Sequence, residues 1–432
     1  MYLQRRIWLT VILVVLLTGC SGWMVSPTPS TTPMPTRTPE PSPVPTEVPV
    51  QTPSPDLVAL SLWVPDFLDP SSPDGLGSAL ADSLSVFVAI RSGRQVEVVV
   101  KNDSGEGGLY HLLSTAHEAA PAVLPDLIVL NQNDMRVAIS EGHVQPLQLA
   151  YLNRSDFYGF ALEGLEQNGE LYGLPLLTTA PHFAYRQGLS DSTPLTWTAV
   201  LTGGYSLLFP GGPTGGIADD ALMALYLGTG GQLWDEEGRA VLERGHLEEL
   251  YRFFRALVDG GVLDARQALN LTDSAACYAQ FQMGTASLSP VPSIGYWRNP
   301  AIDSVPSWAP SVAGEPASLG RTWSVALVTA DPLRQSLALE LALALVSPNT
   351  QAELAVATGM FPSRRSGVQA LDSSTENKQF LDALLMSTTK APLGQTDLAL
   401  RRALQAGLTL LLTEPTTTPE EAAAYALTSL RQ

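Results

Sequence analysis

The chain has 432 residues, 42 acidic against 24 basic side chains, a formal charge of −18 and only two cysteines. This balance disfavours nucleic acid and gives no attraction to anionic lipid, and two cysteines exclude a disulfide framework. The length allows two domains or lobes with substantial cores.

The N-terminus opens with Arg5-Arg6, an apolar run from Ile7 to Leu17, and then Thr18-Gly19-Cys20. A basic start, a short apolar core and small residues before a cut site make an export signal over residues 1–19. The run is about half the roughly 20 residues that a membrane crossing needs. The Leu17-Thr18-Gly19-Cys20 stretch resembles the lipobox of bacterial lipoproteins, which implies acylation of Cys20 and an anchor on the outer face of the cytoplasmic membrane. Removing Arg5 and Arg6 takes the charge from −18 to near −20. Residues 20–56 form a Pro/Thr/Ser-rich tether, with 11 prolines between 26 and 56 and no apolar period. Such a chain cannot offset its ordering entropy and extends to about 95 Å at roughly 3.1 Å per residue.

Beyond the tether, strand and helix signals alternate. Residues 57–64 read as a short apolar strand, 76–90 as a helix, and 95–101 as a strand buried on both faces. A helix at 109–119, a buried strand at 125–130 and a helix at 133–141 follow. Three successive β-α units predict an α/β fold with a parallel, doubly wound sheet, whose ligands sit beyond the carboxyl ends of its strands. Those ends carry Trp63 and Asp66, then Asn102, Asp103 and Ser104, then Asn131 and Gln132. Further along, Leu404, Leu408 and Leu411 share a helix face with Leu398, and Thr418-Pro419-Glu420-Glu421 carries the cap, proline and acidic residues of a helix start. Cys277, in Ser274-Ala275-Ala276-Cys277-Tyr278, reads as a small buried hydrophobe.

Several ordered segments resemble one family. Pro125-Asp126-Leu127-Ile128, Glu141-Gly142-His143-Val144-Gln145-Pro146-Leu147 and Gly169-Glu170-Leu171-Tyr172-Gly173-Leu174-Pro175 are similar to motifs of the bacterial extracellular solute-binding proteins of the maltose-binding class. So are Thr196-Trp197, Phe281-Gln282-Met283-Gly284, Trp323-Ser324-Val325-Ala326-Leu327, Ser347-Pro348-Asn349-Thr350-Gln351 and Thr358-Gly359-Met360-Phe361-Pro362. Thr285 departs from the pattern, standing where lysine is common.

The resemblance implies a two-lobe periplasmic-binding-protein-like fold (type II), each lobe a mostly parallel sheet flanked by helices and joined to the other by a hinge. By position, lobe 1 spans 57–174 plus 308–346 and lobe 2 spans 175–305 plus 347–432, with crossings at Leu174-Pro175, Val305-Pro306 and Val346-Pro348. It implies capture of a small polar solute, a carbohydrate first, between closing lobes, and delivery to ABC transporter permease subunits. No enzyme activity, cofactor or metal is expected, and the protein is expected to be a monomer. The same fold serving a sensor or a surface interaction, or importing a non-sugar solute, is the alternative. Family positions add Tyr296, Trp297, Arg321 and Trp323 to the strand-end candidates, with Thr178, Thr179, His182 and Trp234 as weaker ones. Trp197 reads as core.

Other chemistries lack their companions. Gly211-Gly212-Pro213-Thr214-Gly215-Gly216 has no Gly-Lys-Ser/Thr after it, so it is no phosphate-binding loop. The five histidines show no zinc spacing, Asn102-Asp103-Ser104-Gly105-Glu106 lacks the register of a calcium loop, and Ser387-Thr388-Thr389-Lys390 stands without its partner motifs.

Overall fold

The computed structural model describes residues 58–431 apart from 73–74, 92–93, 150, 189–194 and 236–238. Cys20, the export signal and the tether lie outside the described residues. Strand β1 (Val58–Pro65) leads to α1 (Ser78–Ile90), β2 (Arg94–Lys101), α2 (Leu109–Ala119), β3 (Leu127–Asn131) and α3 (Gln132–Ser140). Asn131 ends β3 and caps α3 by accepting the Asp134 N–H at 3.0 Å, so strand and helix meet without a loop. Then come α4 (Gly159–Leu162), β4 (Glu166–Gln167), β5 (Glu170–Leu171) and β6 (Gly173–Thr179).

A second body is built from β7 (His182–Arg186), α5 (Trp197–Thr202), α6 (Asp220–Leu227), α7 (Arg244–Asp259), α8 (Ala265–Asn270), α9 (Ser274–Gln282), β8 (Leu288–Val291), α10 (Ser293–Tyr296) and β9 (Ser304–Ser307). Helix α7 shows how the sequence sets its packing. Leu247, Leu250, Tyr251, Phe254 and Leu257 recur at three- and four-residue steps and are all buried. Strand β10 (Ser318–Leu327) returns the chain to the first body, followed by α11 (Pro332–Leu345), α12 (Pro348–Thr358), β11 (Phe361–Pro362), α13 (Arg365–Ala370) and α14 (Thr375–Met386). Last come β12 (Thr388–Lys390), α15 (Gly394–Thr413) and α16 (Pro419–Leu430), the latter opened by a Thr418–Glu421 capping box with Pro419 at its first position.

The main sheet runs β11-β6-β10-β3-β1-β2, with β12 beside β10, and a three-stranded sheet runs β8-β7-β9. The parallel order expected of the first three strands holds for β2-β1-β3; the returning strand β10 runs antiparallel between β3 and β6, so β6 has the same direction as β1–β3. One expectation fails at β2. Val96, Val98, Val99 and Val100 are only half-buried, because β2 is the edge of the sheet.

Two large cores form. The first gathers Leu62, Leu84, Leu113, Val129, Leu177, Val325, Leu341, Leu354, Phe361 and Leu384; the second gathers Phe209, Leu222, Phe254, Leu288, Leu319, Leu404, Leu408 and Ala423. A small third cluster around Phe281, Tyr278 and Tyr296 holds Cys277, which is fully buried as expected. Trp197 is core, stacked on Phe253 with centroids 4.3 Å apart.

The chain changes core between Ala180 and Phe183, between Leu319 and Val325, and between Leu385 and Ala391. The expected crossings at Leu174-Pro175, Val305-Pro306 and Val346-Pro348 differ from these and would assign 347–386 to the second lobe, whereas Ala352, Leu354, Phe361 and Leu384 pack in the first core. Contacts far apart in sequence account for the difference. β6 stays in the first sheet through its pairing with β10 and β11, and the Gln351 amide donates to the Pro175 carbonyl at 2.9 Å, tying α12 to β6.

Candidate functional site

A cavity of about 300 Å³ opens between the lobes. Trp323 of β10 and Thr179 at the end of β6 form one wall, and Asp219, Asp220 and Asp273, at the starts of α6 and α9, form the other. The end of β6 faces helix starts here, and strand ends are where α/β sheets bind ligands; Trp323 comes from the middle of β10. Larger hollows of about 630 Å³ beside Trp297 and about 640 Å³ beside Trp63 lie elsewhere.

The carboxylates are held by different means. Asp219 caps α6 and accepts from Ala221 N at 2.9 Å, Ser274 N at 2.9 Å and the Ser274 hydroxyl at 2.6 Å. Burial, and then the charge of Asp220, push its pKa up. Asp273 caps α9 through the Ala276 N–H at 2.7 Å.

Asp220 belongs to a four-charge network. Arg321 pairs with it at 2.6 Å and approaches Asp397 at 3.7 Å; Arg401 reaches Asp397 at 2.8 Å and also pairs with Asp220. Burial works against ionisation of Asp220, but the two guanidiniums outweigh it and hold the carboxyl well below the usual carboxylate range. The result is a fixed anionic acceptor, one-third exposed, at the cavity wall. Among the described residues that line the cavity, none is basic.

Trp323 is anchored on its far side. Its indole N–H donates to Asp103 at 3.1 Å, and Phe67 meets the ring edge-on with centroids 5.6 Å apart. Asn131 lies opposite it in the β3–β10 ladder. Nearby, burial and then the charge of Asp103 raise Asp134 to about 6, against a hydrogen bond from Asn131 at 3.0 Å.

The sequence matches no family model and no curated protein. Solved structures do match. Maltose-bound MalE3 of T. maritima is 17% identical and aligns over 86% of this chain and 99% of its own, with a TM-score of 0.62. The sugar-binding protein MalE of Xanthomonas citri is 15% identical over 87% and 97%, with a TM-score of 0.66. The GacH receptor of Streptomyces glaucescens, solved unliganded and with acarbose, is 17% identical over 86% and 97%, with a TM-score of 0.61. The chain has the maltose-binding-protein fold.

Within that fold the expected site residues scatter. Trp323 and Thr179 line the cavity, Arg321 stands outside its lining but pairs with Asp220 of the wall at 2.6 Å, and Thr178 is buried and donates to the Arg321 carbonyl at 2.7 Å. Asp103 stands behind Trp323. Asn131 serves as the α3 cap, and Gln132 is buried with neither amide atom partnered. Asp66 and Asn102 are exposed, and Ser104 faces a separate polar hollow of about 380 Å³ with Asp134.

Trp63 lies away from the cavity. It is 8% exposed and lines the groove between the β1–β2 face and α2. Tyr296 is 2% exposed and packs edge-on against His182 and Trp297. Trp297 lies over Phe380 at 6.3 Å and lines the hollow beside α1 and α12 instead. His182 is buried in this aromatic seam, which lowers its pKa to about 4. Trp234 packs on the second core.

Asp219, Asp220, Asp273, Asp397, Arg401 and Phe67 are absent from the sequence reading. Their local signals existed: Asp219 and Asp273 precede helix starts, and Asp397 and Arg401 are four apart. The pairing that makes them a site, Arg321 with Asp220, spans 101 residues and leaves no local trace.

Among the described residues, no group of three or more His, Cys, Asp or Glu is placed to hold a metal, and no helix is long and apolar enough to cross a membrane.

Proposed function

We propose that this chain is a lipid-anchored, extracytoplasmic solute-binding protein that captures a carbohydrate and passes it to an ABC transporter permease. The observation that carries the reading is the cavity between the lobes, which sets an indole, Trp323, opposite the pre-ionised carboxylate of Asp220. A sugar needs both: a flat apolar surface for its C–H face and fixed acceptors for its hydroxyls. The structural neighbours include proteins solved with maltose and with acarbose, which favours the same class.

Three aspartates in the lining, with no basic side chain among the described lining residues, disfavour phosphate esters and other anions. The two-lobe architecture supports binding by closure. A ligand that touches Trp323 on one lobe and Asp220 on the other makes both sets of contacts only when the lobes are together, so it shifts the population toward the closed form. Acylation of Cys20 would hold the protein at the membrane, and the proline tether would set its reach.

Isothermal titration of the purified folded body with glucose, maltose, maltotriose, cellobiose and lactose tests the reading. Saturable binding of at least one sugar, abolished by Asp220→Ala and weakened by Trp323→Ala, is the expected result. No binding across the panel, together with unchanged melting temperatures, would overturn the sugar assignment.

A further inference from the structure

Asp103 stands at a strand end, where a ligand contact was expected, yet its carboxylate is engaged inside the protein. Its Oδ1 accepts the Trp323 indole N–H at 3.1 Å, across 220 residues of sequence. Trp323 contributes to the cavity lining and Asp103 does not. We infer that Asp103 is a positioning residue, whose task is to fix the Trp323 ring as one wall of the ligand cavity; this rests on the reading of that cavity as the capture site.

The geometry supports the inference at three levels. The backbone already aims the side chain: the β6–β10 pairing shifts register between Trp323 and Ser324, an irregularity of the kind that re-aims a residue at a strand. Backbone placement alone leaves the indole free to turn about its side-chain torsions. Phe67, edge-on at 5.6 Å, limits that rotation from one side. The Asp103 bond ties the ring's polar edge and leaves rotation little room.

The loop that carries Asp103 closes tightly just after it. It follows β2, at the edge of the sheet, and must reach past β1 and β3 to β10. Gly105 and Gly107 adopt φ of +83° and +77°, which glycine takes without strain. A Cβ on Gly108 would lie 2.7 Å from the Ser104 backbone, so the chain doubles back more tightly there than a side chain allows. Asp103 leads into this turn, and its carboxylate makes a charge-assisted bond stronger than a neutral acceptor would give.

Indole 15N–1H NMR spectra of the wild type, Asp103→Asn, Asp103→Leu and Asp103→Ser test the inference, with Trp323→Phe assigning the Trp323 resonance. Binding of the best sugar from the titration panel is measured on the same variants. Asp103→Leu is expected to shift or broaden the Trp323 resonance and weaken that sugar about tenfold, the scale of one lost aromatic contact. Asp103→Asn keeps an acceptor and is expected to retain both the resonance and most of the affinity. Asp103→Ser serves if the leucine variant does not fold, and is expected to behave like it. An unmoved Trp323 resonance in Asp103→Leu or Asp103→Ser would overturn the inference and leave the capture reading intact. A displaced resonance with unchanged sugar affinity would also overturn it. If the wild type binds no sugar in the panel, the capture reading fails, and the resonance alone decides whether Asp103 holds the ring.

Discussion

Replacing Arg401 with leucine should cost this protein several kilocalories. The side chain is 7% exposed and makes three directional contacts: its Nε to Asp397 at 2.8 Å, one terminal nitrogen to the Ala218 carbonyl at 2.7 Å, and the other to Asp220. Leucine restores part of the buried stem but none of the charge. Asp220 and Asp397 would then share Arg321 alone, at 2.6 and 3.7 Å. Removing one partner from a buried ionic group costs about 3–5 kcal/mol, and the surviving Arg321 pair puts this case near about 3.

For a folded body of roughly 370 residues, that loss corresponds to a fall in melting temperature of about 4 °C. The effect has a sign in pH. Asp220 titrates below its ordinary value, so its contribution is complete above about 4 and is lost as pH falls through its depressed pKa. Circular-dichroism melts at pH 7 and pH 5 should show the full difference, and melts below about pH 4 a smaller one. Arg401→Lys should fall between, since one ammonium cannot reproduce the fork. An Arg401→Leu protein melting within about 1 °C of the wild type at pH 7 would refute the reasoning.

Two further outcomes are expected. Asp134 titrates upward to about 6, so its neutral form is the one the fold favours, and any stability it lends below its unfolded value is lost as pH rises through 6. Asp134→Asn should therefore raise the urea midpoint at pH 7.5 by the equivalent of about 1 kcal/mol, discounted for its part exposure, and do nothing at pH 4; an equal effect at both pH values removes the argument. Gly359 and Gly142 have similar positive φ, +76° and +72°, but a Cβ on Gly359 would stand 2.0 Å from the Ile294 carbonyl while one on Gly142 would meet nothing within 4 Å. Gly142→Ala should cost about 1 kcal/mol, the conformational penalty alone. Gly359→Ala should cost clearly more because α10 must move, and equal losses in paired denaturation curves would contradict that contact.

What the sequence disclosed was whatever local pattern controls. The parallel β1–β3 core, the buried Cys277, the Trp197 core position and the α16 capping box all follow from spacing or from residues within one turn. What it hid depends on which face of a strand another element covers. Trp63 stands at a strand end as expected, but α2 and the β1–β2 face enclose it away from the cavity. Tyr296 is lost to the core because His182 and Tyr278, 114 and 18 residues earlier, close over it. The prolines at 175, 306 and 348 suggested crossings, yet each lies within or at the start of an element whose partners are remote. Arg321 and Trp323 were legible as residues; Asp220, Arg401 and Phe67, which give them their setting, were not.

The order of strands in the main sheet also governs how the chain can fold. β1 and β3, complete by residue 131, wait for β10 at 318–327 before the sheet has its centre, and β11 follows only at 361–362. The second lobe lies inside that interval, yet its own core is unfinished until α15 and α16 arrive. Neither lobe can close on a partial chain. Contacts this remote in sequence make folding slow, and the exposed strands of an unfinished sheet invite aggregation. β1 can pair with β2 and β3 as soon as residue 131 is made, but the edge of β3 at 127–130 that faces β10 stays open until residue 327 is present, so the sheet is completed late in synthesis.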